Sequence, residues 1–129
     1  IVVADDEVAS SEWERNLYGT AAPADIKVSI LTLEETARRA AGGVWEREKV
    51  ILLVRGPQSV LDLIDLGLSV EQVNVGGLHY AEGKEKIVED VYLDAADRRA
   101  MRELVKRGIR LEARALPDRD PIVLNPRVV

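Results

Sequence analysis

The stretch Lys49-Val50-Ile51-Leu52-Leu53-Val54 decides the fold class of this 129-residue chain. Every residue in it except the first is apolar, and several are β-branched. A near-continuous apolar run of this length is typical of a strand that is covered on both faces, as in a parallel sheet. Arg55-Gly56-Pro57 follows at once, and proline favours the first turn of a helix. The stretch therefore predicts a buried parallel strand that leads directly into a helix.

The same alternation of strands and helices extends toward both ends of the chain. Apolar, β-branched segments predict strands at 1–4, 26–31, 49–54, 72–75 and 108–114, with a further candidate at 87–93. Capping residues and breakers predict helices that begin after Ser11, Thr32, Gly56 and Asp94 and end before Pro23, Gly42, Gly67 and Gly108. We therefore predict a single α/β domain over 1–129, built on a three-layer, open, mainly parallel sheet with helices on both faces.

Two segments carry separate expectations about the sheet. Residues 76–86 are too few for a helical crossover, so we expect 72–75 to pair with 87–93 without an intervening helix. The tail after Leu116 contains Pro117, Pro121 and Pro126. Because proline cannot donate a hydrogen bond to a sheet, we expect this tail on the surface or at a sheet edge.

Composition excludes several classes of function. The net charge is −5, whereas a nucleic-acid binder needs a basic face to neutralise phosphates. The chain has no cysteine, which excludes disulfides and thiolate metal sites, and its single histidine, His79, cannot build a histidine-rich metal centre. No apolar run approaches the roughly 20 residues of a membrane span. We therefore expect a cytoplasmic protein with no metal site and no nucleic-acid partner.

The acidic run Asp5-Asp6-Glu7 follows the first predicted strand and invites comparison with bacterial receiver domains, which hold Mg²⁺ with an acidic pair there. A receiver also needs an aspartate at the end of its third strand, and here that strand ends in Leu53-Val54-Arg55. The comparison fails at this residue, so we expect Asp5 and Asp6 to be ordinary loop and helix-cap acids.

Three further groups have both a structural and a functional interpretation. Arg55 is either a phosphate contact beside a helix N-terminus or an arginine paired with a nearby carboxylate. Gly76-Gly77 is either a turn that needs positive φ or a stretch whose unobstructed N–H groups bind an oxyanion. His79 can titrate near neutral pH, but a lone loop histidine is more often a hydrogen-bonded structural group than a nucleophile.

An ordered set of segments resembles the IIB subunit of the mannose/fructose/sorbose class of the bacterial sugar phosphotransferase system. The most specific piece is Asn-Val-Gly-Gly-Leu-His-Tyr at 74–80. Residues 1–9 resemble the family's second strand and the start of its next helix, and 21–31 the following turn and strand. Residues 49–57 resemble the fourth strand and its exit, and 108–117 the C-terminal strand.

The resemblance implies the family's strand order, 3-2-4-1-5-6-7, in a mostly parallel sheet. The central first strand of that sheet has no counterpart in this sequence, so we expect upstream sequence that supplies it. The resemblance therefore implies that 49–54 and 72–75 flank a missing strand. We expect either a groove between these two strands or their direct closure onto each other.

The resemblance also implies an activity. A IIB subunit receives a phosphoryl group on a histidine from a IIA domain and passes it to a sugar that enters through the IIC and IID membrane subunits. The family's histidine lies in a motif like R-x-D-x-R-x-x-H-G-Q, which this sequence does not contain, and His79 does not match its position. We therefore assign no catalytic residue and expect the chain as written to be inactive. No cofactor is implied, since the phosphate arrives covalently, and the expected location is the inner face of the cell membrane.

The resemblance also suggests a phosphate pocket. In open α/β sheets, sites form beyond the carboxyl ends of strands where the strand order reverses. The strands that flank the missing one end at Arg55-Gly56 and at Gly76-Gly77, so these loops are expected to border the phosphohistidine. The pocket candidates are Arg55, Gly56, Gly76, Gly77, His79 and Asp6. The alternative to this function is a non-catalytic α/β signalling or binding domain of receiver-like type.

Overall fold

The computed structural model describes residues 1–125, which form two compact units. The first unit comprises Ile1–Arg55 and Asp62–Leu68. The second unit comprises Gly56–Leu61 and the described residues from Ser69 onward. Helices and mainly parallel strands alternate along the chain, which confirms the α/β class.

The first unit contains a three-stranded parallel sheet. Its elements are β1 (Val2–Ala4), α1 (Asp6–Ser10), α2 (Glu12–Ala21), β2 (Ser29–Leu31), α3 (Leu33–Ala41) and β3 (Leu52–Val54). The strand order is β2-β1-β3, and Ala4 is aligned with both Leu31 and Val54. This order is the 3-2-4 part of the order that the resemblance implies, so that part of the prediction is confirmed. All three strands end at the same edge, which brings the residues that follow them close together.

The core of the first unit lies between this sheet and its helices. Ala4, Ala37 and Leu63 are almost fully buried in it. Partly buried apolar side chains pack around them, namely Leu33, Leu52, Val54 and Leu68. Small residues at positions 4 and 37 allow α3 to approach β1 closely.

Strand β3 differs from its prediction. The sequence predicts a strand over 49–54 that is covered on both faces, but only Leu52–Val54 is a strand. The side chains of Ile51 and Leu53 are 62% and 48% exposed, whereas Leu52 and Val54 face the core. An apolar run does not distinguish one covered face from two, because the second cover depends on which other segments pack there.

The second unit contains a mixed sheet and a hairpin. Its elements are β4 (Gln72–Val75), β5 (Glu85–Val88), β6 (Val91–Leu93), α5 (Ala95–Lys106), β7 (Arg110–Ala113) and β8 (Ile122–Val123). Helix α4 (Pro57–Asp65) contributes its first residues to this unit and its last to the other. Strands β4 and β7 are parallel, and β8 adds to β7 in antiparallel fashion. The core is formed by Val91, Leu93, Met101, Leu104, Leu111 and Leu124.

One pairing prediction is wrong. Segment 87–93 is not one strand beside 72–75, because the chain reverses at Glu89-Asp90 and β5 pairs with β6. Asp90 adopts a φ of 63°, which the turn requires. The neighbour of β4 is instead β7. Strands β3 and β4 belong to different sheets, and the expected groove or closure between them stays a prediction.

The predicted helix boundaries are confirmed. Ser11, Thr32 and Asp94 cap α2, α3 and α5, each accepting a backbone N–H three residues on. Helix α1 begins within residues 1–9, where the resemblance implies the start of a helix, and Asp5 caps it. The proline-rich tail supplies the edge strand β8, as expected, while Pro126 lies outside the described residues.

Candidate functional site

Arg55 follows β3 directly and is paired with two carboxylates. Its Nε donates to Asp5 Oδ2 at 2.8 Å, its Nη2 donates to Asp5 Oδ1 at 3.3 Å, and its Nη1 donates to Glu7 Oε2 at 2.7 Å. The hydrogen bonds that Arg55 donates, to Glu7 first and then to Asp5, raise the pKa of Arg55 above its ordinary value. Of the two interpretations of Arg55, the structure therefore shows the arginine that is paired with nearby carboxylates. The side chain is nevertheless 56% exposed and accessible to a ligand.

Asp5 and Asp6 both serve as helix-cap acids, as predicted. Asp5 Oδ1 accepts the N–H groups of Glu7 and Val8 at 3.0 and 3.1 Å, which caps α1. Asp6 Oδ1 accepts the N–H of Leu33 at 2.8 Å, at the start of α3. Asp6 is thus placed at the carboxyl edge of the first sheet, but its carboxylate already has a partner.

Gly56 begins the turn into α4. Its carbonyl accepts the N–H of Ser59 at 3.2 Å. One of the N–H donors at the helix start therefore already has an acceptor. A methyl group built on Gly56 would meet no atom within 4 Å, so the approach to its backbone is open.

The diglycine Gly76-Gly77 lies directly after β4 and is exposed. Neither glycine has a positive φ, so the interpretation as a turn that needs one is wrong. Within residues 1–125, neither backbone N–H donates a hydrogen bond. These amides are therefore available to an acceptor, which is what an oxyanion requires.

Two backbone hydrogen bonds fix the segment after the diglycine. Leu78 donates its N–H to the carbonyl of Asp90 at 2.9 Å and accepts the N–H of Tyr92 at 2.8 Å. Tyr80 contacts Tyr92 edge to face, with ring centroids 5.7 Å apart. The segment is thus attached to the β5–β6 hairpin and has a defined position.

His79 is not the hydrogen-bonded structural group that a lone loop histidine usually is. Its ring is exposed and makes no hydrogen bond within the described part of the chain. A methyl group on Gly77 would lie 3.8 Å from its Cε1, so the ring stands beside the diglycine.

The structure brings the candidates together in two groups. Arg55 and Asp6 lie at the carboxyl edge of the first sheet, because Ala4 and Val54 are aligned. Gly76, Gly77 and His79 lie together in the second unit. That both groups border one phosphohistidine stays a prediction.

Sequence analysis missed Arg114. This residue follows β7 just as Arg55 follows β3, and Val75 is aligned with Ala113, so Gly76 and Arg114 leave the sheet side by side. Both line a cavity of about 640 Å³ in the second unit, together with Arg119 and Asp120. The Arg114 guanidinium forms no ion pair with residues 1–125. The predicted strand at 108–114 included Arg114, so the pattern that singled out Arg55, an arginine directly after a buried strand, did not point to it.

Among the described residues, no three histidine or acidic side chains are grouped closely enough to hold a metal ion. None of the helices formed by residues 1–125 has the length and apolar content needed to cross a bilayer.

Comparison with known proteins gives one consistent result. Residues 1–126 match the family described as PTS system sorbose subfamily IIB component, where PTS denotes the phosphotransferase system. The chain belongs to this family. It is 32% identical over 123 residues to the sorbose-specific EIIB component of Klebsiella pneumoniae, which covers 95% of this chain and 74% of that protein.

A solved structure and a fused relative agree with this family assignment. The crystal structure of the IIBSor domain of the Klebsiella pneumoniae sorbose permease superposes with a TM-score of 0.88 at 30% identity, over 94% of this chain and 74% of that one. The mannose-specific EIIAB component of Escherichia coli K12 is 32% identical over 114 residues, which are 88% of this chain and 35% of that protein.

The family determines the class of activity. IIB components are phosphotransferases of a sugar phosphotransferase system, so this chain is a IIB domain of that transferase class. The resemblance to the mannose/fructose/sorbose class is confirmed. The receiver-like signalling alternative is not supported.

Proposed function

We propose that this IIB domain takes part in two successive phosphoryl transfers. In the first, the N–P bond of a phosphohistidine on a IIA domain breaks as an N–P bond forms to a histidine of the IIB component. In the second, that bond breaks as a sugar hydroxyl oxygen binds the phosphorus, and the hydroxyl proton leaves to solvent or a base. The relatives named for sorbose and for mannose support a sugar as final acceptor.

The partners follow from these transfers. A IIA domain is the donor, and the relative whose name joins A and B supports this. We further propose that the IIC and IID membrane subunits present the sugar and select it. The IIB domain then works in the cytoplasm at the inner face of the membrane. Sedimentation of the protein with membranes that contain IIC and IID, but not with membranes that lack them, would support this location.

The accepting histidine is proposed to be one in the motif R-x-D-x-R-x-x-H-G-Q and not His79. That motif does not occur in the 129 residues. Incubated alone with phosphorylated IIA, the 129-residue chain is expected to acquire no acid-labile phosphate. Stable labelling of His79 would contradict the proposal.

Arg55 is proposed to bind phosphoryl oxygens during transfer. The observation that carries this role is its position, directly after β3 at the carboxyl edge of a parallel sheet, with a half-exposed guanidinium. Phosphoryl transfer depends on positioned cations and N–H donors, because charge is spread over the equatorial oxygens. In the second unit, the free amides of Gly76 and Gly77 are donors of the same kind. The Gly56 backbone, with open space beside it, and the His79 ring beside the diglycine complete the candidates.

The test is the transfer rate in an Arg55→Ala variant of the intact protein, meaning a chain that also carries the proposed motif histidine. With phosphorylated IIA as donor, we expect the rate to fall about 10²-fold, the usual effect of removing one transition-state donor. Arg39→Ala is the matched control, since Arg39 also pairs with a glutamate, Glu35, in the same unit. An Arg55→Ala rate within two-fold of the unmodified protein would remove Arg55 from the site.

A further inference from the structure

The two carboxylates that pair with Arg55 differ in how firmly they are held. Asp5 has an exposed side-chain fraction of 11%, and its Oδ1 also accepts two backbone N–H groups of α1. Glu7 is 77% exposed, and within residues 1–125 its carboxylate has no partner other than Arg55. One carboxylate is therefore fixed by the fold, and the other is held by a single solvent-exposed ion pair.

Asp5 and Glu7 bind different sides of the Arg55 guanidinium. Asp5 binds Nε and Nη2, which together form one side of the planar fork. Glu7 binds Nη1, on the other side, at 2.7 Å. Losing the Asp5 contact would also disturb the cap of α1, whereas losing the Glu7 contact requires only a side-chain rotation. Of these two contacts, the one at Nη1 is consequently the one that an incoming anion can replace at the lower cost.

We propose that Glu7 is an internal competitor that occupies the anion-binding side of Arg55, and that Asp5 is the positioning residue that fixes the guanidinium plane. An incoming phosphoryl group displaces the Glu7 carboxylate and takes its place at Nη1. Asp5 remains bound throughout. This inference rests on the proposed role of Arg55 in binding phosphoryl oxygens.

The inference predicts opposite effects from two changes that remove the same charge. Glu7→Gln is expected to bind inorganic phosphate about two- to five-fold more tightly, the range that an exposed ion pair of this kind supports. Asp5→Asn is expected to bind phosphate at least about two-fold more weakly, since the neutral amide no longer holds the fork. Asparagine is a good helix N-cap, so α1 keeps its cap in this variant. A simple change of local charge would strengthen phosphate binding in both variants.

The experiment is a titration of the intact protein with inorganic phosphate at low ionic strength, followed by the NMR signal of the Arg55 Nε–H group. This signal reports on the guanidinium itself and would not move if the two acids served only to stabilise the fold. Glu12→Gln is the control, because Glu12 is an exposed glutamate at the start of α2 with no ion pair to residues 1–125. Its phosphate affinity should equal that of the unmodified protein.

The outcomes separate this inference from the function on which it rests. Unchanged affinity in Glu7→Gln, or equal tightening in both acid variants, overturns the inference. If Asp5→Asn fails to fold, Glu7→Gln decides alone, because an exposed side chain of this kind has little effect on folding. An Arg55→Ala variant that binds phosphate with normal affinity, measured by its backbone amide signals in the same titration, would instead overturn the role of Arg55 itself.

Discussion

Asp6 Oδ1 accepts a hydrogen bond from the backbone N–H of Leu33 at 2.8 Å, across 27 positions of the sequence. The first residue of α1 thereby anchors the first residue of α3. Thr32 already caps this helix by accepting the N–H of Glu35. Two side chains from different segments therefore accept backbone N–H groups that have no partner within the helix. The carboxylate also interacts favourably with the positive end of the helix dipole.

Replacing Asp6 with alanine is expected to lower the free energy of unfolding by about 1 kcal/mol, the usual cost of a lost N-terminal cap. Asp6→Asn should cost less, because the amide oxygen still accepts the bond without the charge. Urea denaturation followed by circular dichroism measures both. Asp25→Ala, at an exposed acid whose side chain makes no hydrogen bond to residues 1–125, is the control. Equal stabilities for Asp6→Ala and the unmodified protein would contradict the anchoring role.

Alanine at Gly76 or Gly77 is expected to leave stability unchanged while slowing phosphoryl transfer about ten-fold, because the methyl group obstructs a donor of oxyanion-hole type. An added Cβ meets its nearest atoms at 3.7 Å or more, and neither residue has a positive φ. Thermal melting and a rapid-quench transfer assay separate the two effects. Gly19→Ala, in an exposed turn of α2, should affect neither transfer nor the fold adversely. Unimpaired transfer in both diglycine variants would exclude their amides from the site.

His79→Ala in the intact protein is expected still to accept a phosphoryl group from IIA, because the proposed acceptor is the motif histidine. The ring is exposed, and no hydrogen bond within residues 1–125 activates it. Mass spectrometry of the phosphorylated protein, digested under alkaline conditions, locates the modified residue. Loss of the label in this variant alone would show that His79 is the acceptor.

Asp94 links the stability of the second unit to pH. Hydrogen bonds from the backbone, the N–H of Asp97 first, lower the pKa of Asp94 below its ordinary value. A carboxyl group with a depressed folded-state pKa stabilises the protein above the unfolded value of about 3.9 and loses this contribution as the pH falls through the folded-state pKa. The difference in the free energy of unfolding between the unmodified protein and Asp94→Ala should therefore narrow progressively as the pH falls below about 4. A constant difference between pH 7 and pH 3 would refute this account.

Local features of the fold could be predicted from the sequence, and non-local ones could not. Ser11, Thr32 and Asp94 act on amides only three residues away, so their caps follow from short patterns. The hairpin was missed because its turn places Asp90, and not a glycine, at positive φ. The strand order β2-β1-β3 came from the family resemblance, since periodicity does not specify neighbours.

In the candidate site, too, the local features could be predicted from the sequence and the non-local ones could not. The position of Arg55 after a buried strand could be predicted, but its partners Asp5 and Glu7 lie 50 and 48 residues away. Only the alignment of β1 with β3 brings these acids to it. The exposure of Ile51 and Leu53 was likewise set by tertiary neighbours, which an apolar run does not reveal.

Leu78 is bonded to the β5–β6 hairpin through both its N–H and its carbonyl. The hairpin and the diglycine loop therefore cannot loosen separately, because either movement breaks the same two bonds. In deuterated solvent, the amide protons of Leu78 and Tyr92 should be replaced at one shared rate. That common rate would measure how often the loop loses the backbone geometry that presents its free amides.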